Sequence, residues 1–230
     1  MLLRESLPIP GDGGSTTIDP EGIICVTEHK GTVREKVGEK LFEYPATAFF
    51  QNNNSVLVPL ISYVRDAIFT DNGTSDKSRP THLIDAYCGS GLFAISLSDD
   101  FTKVVGIEIA ADAIKSATRN ALMNWCQDKC SFVVGDAANI FSVVNDQTEF
   151  PRDRTVLIID PPRKGTNENF IGQMMEFGCE VVVYVSCNVH TQARDIGMIL
   201  GKKTKDGRKY DLDQAVIVRD PNQVNSLAGL

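Results

Sequence analysis

Cys187 follows the apolar run Val181-Val-Val-Tyr-Val185, and Ser186 and Asn188 flank it with hydrogen-bonding groups. A lone cysteine is ordinarily a small buried hydrophobe, but polar neighbours on both sides mark the exit of a strand. A thiol there can act as a nucleophile once it is ionised. Asp160 ends a second apolar run, Thr155-Val-Leu-Ile-Ile159, and opens Asp160-Pro-Pro-Arg-Lys-Gly165. The paired prolines stiffen that turn and remove backbone donors. They hold the Asp160 carboxylate at a strand tip and leave Arg163 to meet an anion or a base edge.

A third constellation is Asp85-Ala-Tyr-Cys-Gly89-Ser-Gly91-Leu-Phe-Ala94. Gly89 and Gly91 allow a sharp turn close to a ligand, and Glu108 follows Gly89 by about 20 residues, where a carboxylate meets the two ribose hydroxyls of an adenosine. The same spacing fits a dinucleotide site, so the glycines alone leave two cofactors open. Asp85 favours the second. A carboxylate just before the loop repels a pyrophosphate and suits the amino-acid end or the sulfonium of S-adenosylmethionine. Asp136, in Val134-Gly-Asp136-Ala, reads equally as the partner of an adenine amine and as a turn residue.

The elements that must carry these groups alternate. Strands are predicted at 82–86, 103–107, 130–134, 155–159 and 180–185, with a weak last strand at 215–218. Helices are predicted at 54–69, 92–98, 111–125, 167–177 and 191–200. Such alternation predicts an α/β fold with a doubly wound, mostly parallel sheet, whose ligands sit beyond the carboxyl ends of the strands. Residues 1–22 are rich in Gly, Pro, Ser and Thr and read as a flexible segment. Residues 23–48 carry short β-like runs, a β-containing extension or the remnant of a larger β-rich segment. Residues 49–230 form the main domain.

The 230 residues are 42% apolar, enough for one substantial core. No apolar run is long enough for a transmembrane helix, and the first residues lack the pattern of a secretory signal. An intracellular soluble protein of the cytoplasm or nucleus is expected, with a monomer favoured and no membrane partner. The six cysteines show no Cys-x-x-Cys pair, so no metal site is expected. A net charge of −7 argues against a stand-alone nucleic-acid binder. The late cluster Lys202, Lys203, Lys205, Arg208 and Lys209 reads as a solvated loop.

Taken together, Phe49-Phe-Gln-Asn-Asn-Asn54, Asp85-Ala-Tyr-Cys-Gly-Ser-Gly91, Gly106-Ile-Glu108, Asp160-Pro-Pro-Arg-Lys-Gly165, Tyr184-Val-Ser-Cys-Asn188 and Thr191-Gln-Ala-Arg-Asp195 resemble the RNA uracil-C5-methyltransferases, above all their fungal tRNA branch. The resemblance runs from about residue 23 to about residue 200. It implies a Rossmann-like class I methyltransferase domain that uses S-adenosyl-L-methionine to methylate C5 of a uridine in RNA, with tRNA as partner. It implies that Gln51, Tyr87, Glu108, Asp136 and Asp160 bind the cofactor and that Cys187 attacks the base. It also implies an N-terminal RNA-binding β-barrel and a carboxyl-terminal His-x-Glu whose Glu removes the C5 proton, neither of which has a counterpart here. If Gln223-Val-Asn225-Ser matches that motif, Asn225 stands at the base position and an amide cannot act as the base. The expectation is a chain that forms the Cys187 adduct and releases product slowly. Two other readings stay open: a binding homologue without catalysis, and a nicotinamide-dependent dehydrogenase.

Overall fold

The computed structural model describes residues 4–8, 24–28, 30–51, 53–69, 79–135 and 149–212. Its centre is a five-stranded, wholly parallel sheet of β5 (His82–Ala86), β6 (Lys103–Glu108), β7 (Cys130–Val134), β8 (Thr155–Ile159) and β9 (Val181–Tyr184). The spatial order is β7-β6-β5-β8-β9. The chain enters this sheet in the middle at β5, winds outward through β6 and β7, then crosses back to β8 and β9. Strand order therefore reverses between β5 and β8, and the loops leaving those two strands part from each other to open a crevice.

The strands are apolar almost throughout because both faces of the sheet are covered. Leu83, Val104, Val156 and Ile158 point to one side. There they pack with α1 (Leu57–Phe69) and α2 (Leu92–Ser96), and with Ala121 of α3 (Ala111–Met123). Ile84, Ala86, Val105, Ile107, Leu157 and Ile159 point to the other side, against Phe170, Ile171, Met174, Met175 and Phe177 of α4 (Glu168–Phe177) and Ile199 of α5 (Val189–Leu200). The period-2 alternation of strand side chains thus divides the core into two layers. Among the described residues, no helix is long and apolar enough to cross a membrane.

Local signals explain several boundaries. Asn167 caps α4 by accepting a hydrogen bond from the Phe170 N–H at 2.8 Å, and Gly178, in the left-handed region, ends it. Helix α3 stops at Met123, short of the expected residue 125. The Asn124 side chain turns to the backbone of Leu41, and Trp125 takes φ 58°. Helix α5 starts at Val189, before the expected 191, because Asn188 caps it. The expected strand at 215–218 lies outside the described residues.

The N-terminal part holds one correction. Within the expected loop of residues 1–22, β1 (Arg4–Ser6) forms and pairs antiparallel with β2 (Ile24–Val26). Three residues are too short a run for alternation to register, and the pairing crosses a long sequence gap. β3 (Thr32–Val37) and β4 (Lys40–Pro45) form an antiparallel hairpin. Helix α3 receives β4 through amides. Fully buried Asn120 accepts a hydrogen bond from the Glu43 N–H at 2.8 Å and donates to the Ser90 carbonyl at 3.0 Å. Asn124 both accepts from and donates to the backbone of Leu41. The carboxylate of Glu43, itself buried, pairs with Arg34 and with Arg119.

Asn120 therefore fastens the hairpin and the loop after β5 to one helix. Replacing it by the isosteric Leu leaves a buried N–H and a buried C=O unmet. The expected cost is about 1–3 kcal/mol of stability, read from the urea midpoint.

Candidate functional site

The loop after β5 is shaped by backbone that few side chains tolerate. Tyr87, Gly89 and Gly91 all take positive φ, at 64°, 52° and 90°. Gly91 takes φ 90°, a conformation side chains rarely adopt, so glycine is required there by its backbone. Asp85, at the tip of β5, is fully buried. One of its oxygens accepts the Ala94 N–H at 2.9 Å. The other, Oδ1, has no hydrogen-bond partner among the described residues. Burial pushes its carboxyl up to about 8, against the pull of the Ala94 bond and with the charges of Asp160 and Glu108 adding to the rise.

Glu108 ends β6 and faces the same loop. Its Oε2 accepts the Gly89 N–H at 3.3 Å and its Oε1 accepts the Ala110 N–H at 3.0 Å. Both bonds are to backbone, so the carboxylate is fixed without a counter-ion among the described residues. Tyr87 is half-buried and its ring tilts against Phe170, 5.7 Å between centroids. Cys88 is buried, and burial pushes its thiol well up from the ordinary range, which makes it inert.

Asp160 begins the turn after β8, with its N–H donating to the Ala86 carbonyl at 3.4 Å. Gln51, remote in sequence, donates from Nε2 to Asp160 Oδ2 at 3.4 Å. Burial pushes the Asp160 carboxyl up to about 7, and the Gln51 bond works the other way. Gln51 reaches this point because its neighbour Phe50 is stacked on Tyr44, 4.4 Å between centroids at 12°. Phe50 is thereby taken up by packing, whereas Phe49 is 75% exposed. Of the two, Phe49 alone is free to meet a planar ligand.

Cys187 is exposed. The Val185 N–H donates to the Ile159 carbonyl at 2.8 Å, extending the β8–β9 pairing to the point where both chains leave the sheet. Asp160 and Cys187 thus emerge from adjacent strands on one edge. Asn188 joins the two exits. Its Oδ1 accepts the His190 N–H at 3.1 Å, capping α5, and its Nδ2 donates to the Arg163 carbonyl at 2.9 Å. The Thr191 hydroxyl donates to the same carbonyl at 3.1 Å. The Arg163 side chain is exposed.

Gln51, Asp85, Tyr87, Gly89, Gly91, Glu108 and Asp160 therefore surround the crevice at the reversal point, with Cys187 and Arg163 on its β9 side. Asp136 and Asn225 lie outside the described residues. The late basic cluster is at the other end of the sheet. Arg208 donates to the Gly178 carbonyl at 2.9 Å, just before β9 begins, and pairs with Glu180 and Asp206. Two supporting residues had no role assigned from the sequence: Asn120, and Asp195, which closes the stretch Thr191-Gln-Ala-Arg-Asp195. Each is a fully buried polar side chain within an amphipathic helix, and the signal was an amide or carboxylate on the face that should be apolar.

The arrangement offers an acidic crevice with the two backbone-bonded oxygens of Glu108 and an Asp85 oxygen unmet among the described residues, beside an accessible thiol. The family model described as tRNA (Uracil-5-)-methyltransferase matches residues 28–214. The tRNA (uracil(54)-C(5))-methyltransferase of Schizosaccharomyces pombe is 45% identical over 195 residues, covering 84% of this chain and 36% of that protein. The enzyme of the same description from Saccharomyces cerevisiae is 40% identical over 189 residues, covering 82% and 28%. The crystal structure of Pyrococcus abyssi tRNA (uracil-54, C5)-methyltransferase with S-adenosyl-L-homocysteine superimposes with a TM-score of 0.58 at 26% identity, over 76% of this chain and 39% of that one. The chain thus spans 36% or less of the length of the two fungal relatives.

The raised carboxyls fix the sign of a pH dependence. Asp85 and Asp160 are held above their ordinary value of 3.8, so the fold favours their neutral forms. Their contribution to stability is therefore full below the ordinary value of 3.8 and is lost progressively between that value and about 7 for Asp160 and about 8 for Asp85, above which both states are ionised and it changes no further. Urea midpoints of the ligand-free protein should fall over that interval more steeply in the wild type than in Asp85→Asn, which keeps the Ala94 acceptor but cannot ionise.

Proposed function

This chain belongs to the tRNA (uracil-5-)-methyltransferase family, and we propose that it uses S-adenosyl-L-methionine to methylate C5 of a uridine in tRNA, at position 54 of the T-loop, through a covalent bond from Cys187 to C6. The observation that carries this reading is that the acidic crevice and the exposed Cys187 open on the same edge of the sheet, one strand apart.

The residues present suit the cofactor. Glu108, held by the Gly89 and Ala110 amides, presents a carboxylate to the ribose hydroxyls. The unmet oxygen of buried Asp85 and the carboxylate of Asp160 suit a cation, either the amino group or the sulfonium. The same buried charge disfavours a pyrophosphate and hence a nicotinamide dinucleotide. When bound, S-adenosylmethionine supplies an electrophilic methyl group.

The rest of the chemistry falls to the chain. C5 of uracil is a weak nucleophile. The Cys187 thiolate adds to C6, forming a C–S bond and moving electron density to C5, which can then accept a methyl group. Transfer of the C5 proton to a solvent base and cleavage of the C–S bond restore the ring and return the thiolate, a slow release where Asn225 stands in place of the family's Glu; one difficult step thus becomes several easier ones. The target base is reached by turning it out of its stack. Arg163 lies on the turn bonded to Asn188 and is suited to meet the base edge or its phosphate. Exposed Phe49, two residues before Gln51, is placed to stack on a planar ring.

Incubation with a T-arm RNA and S-adenosylmethionine should give a protein–RNA adduct that maps by mass spectrometry to the Cys187 peptide and is absent in Cys187→Ala. No adduct in the wild type would refute the proposal. In calorimetry, Glu108→Gln should weaken cofactor binding by roughly 10- to 100-fold, the worth of hydrogen bonds to a charged group. Wild-type affinity should rise with pH through about 7 and about 8, as Asp160 and Asp85 become anionic.

A further inference from the structure

We propose that Asp195 is a positioning residue for the reaction: it fastens the turn after β8, the end of β9 and helix α5 into one unit, and so sets Arg163 and Cys187 relative to each other. This rests on the function proposed above. Asp195 lies in the second turn of α5, one turn before the core residue Ile199, at a position where helical spacing calls for an apolar side chain. It is fully buried. Burying a carboxylate is costly unless its oxygens are met, and here both are.

Asp195 Oδ2 accepts the Thr166 N–H at 2.7 Å, the Thr166 hydroxyl at 3.3 Å and the Tyr184 hydroxyl at 2.7 Å. Oδ1 accepts Nε and Nη2 of Arg194 at 2.8 and 2.6 Å. The same Nη2 donates to the carbonyls of Lys164 and Thr166 at 3.0 and 3.1 Å. With Asn188 and Thr191 on the Arg163 carbonyl, α5 holds the backbone of Arg163, Lys164 and Thr166. Gly165 must be glycine for this fit. Its φ is 76°, and a Cβ there would lie 2.5 Å from Asp195 Oδ2. Tyr184 is the last residue of β9, so its hydroxyl bond fixes the strand end from which Cys187 projects. Burial tends to raise the Asp195 carboxyl, but the bonds from Tyr184, Thr166 and Arg194 outweigh it and hold the group below the ordinary range, keeping it anionic.

Two variants test this. Asp195→Asn keeps an acceptor for Tyr184 and Thr166 but turns an amide toward Arg194. Tyr184→Phe removes a single bond. The readout is the single-turnover rate of Cys187 adduct formation at saturating T-arm RNA and S-adenosylmethionine, per cofactor-binding site counted by calorimetry. That normalisation removes any loss of folded protein. Asp195→Asn should be slower by about tenfold or more, as expected of a small misplacement of reacting groups. Its cofactor Kd and RNA KM should stay near the wild-type values, and Tyr184→Phe should fall between. Amide exchange should quicken in residues 163–166 and 186–189 and stay unchanged in β5 and β6.

A lower melting temperature with an unchanged rate per site would overturn the proposal. If Asp195→Asn binds no cofactor at all, Tyr184→Phe decides by the same measures. If the wild type forms no adduct, the methyltransferase reading falls. Hydrogen exchange then decides alone: unaltered exchange in both loops of Asp195→Asn overturns the positioning role, and quickened exchange confined to them supports it.

Discussion

Asp85 is fully buried at the point where the strand order reverses, with one carboxylate oxygen on the Ala94 amide and the other unmet among the described residues. A parallel sheet forces that situation. Both faces must be covered by helices, so polar chemistry can survive only where strands end and their loops diverge. Between β5 and β8 the loops diverge in opposite directions, and the carboxylates of Asp85, Glu108 and Asp160 converge on the opening. Burial raises both Asp85 and Asp160, and at Asp85 the charges of Asp160 and Glu108 add to the rise, so the site is poorly disposed to anions. A cation entering it relieves that repulsion. The same groups that weaken the ligand-free fold thereby supply the affinity.

The two rims of the crevice are held by different means. On the β5–β6 side the backbone itself supplies the shape, through three residues at positive φ and amides that point at Glu108. On the β8–β9 side the turn contains prolines and has fewer donors of its own, so helix α5 supplies them from Asn188, Thr191 and Arg194. A glycine loop can follow a ligand closely. A turn locked from outside keeps an arginine and a thiol at fixed places.

A third support comes from the N-terminal hairpin. Tyr44 stacks on Phe50 and thereby delivers Gln51 to Asp160, while Asn120 links β4 to the Ser90 carbonyl in the glycine loop. The hairpin accordingly touches both rims, and a change in its seating would be felt at each.

Much of this was written in the local order of residues. The apolar runs at 82–86, 103–108, 130–134, 155–159 and 181–184 are strands because strands buried on both faces need unbroken apolar side chains, and the same fact placed Asp85, Glu108, Asp160 and Cys187 at strand ends. The glycine loop was legible because only glycine relieves its backbone conformation. Pairing across long gaps was not legible. Gln51 meets Asp160 from 109 residues away, and β1 is too short for a period-2 pattern. Asn120 and Asp195 stand on helix faces where spacing calls for apolar side chains, but the partners that make their burial tolerable come from remote segments. Which strand neighbours which, and which buried polar group meets which partner, depends on the sum of contacts between remote segments. A residue's own neighbours in the chain carry no record of that sum.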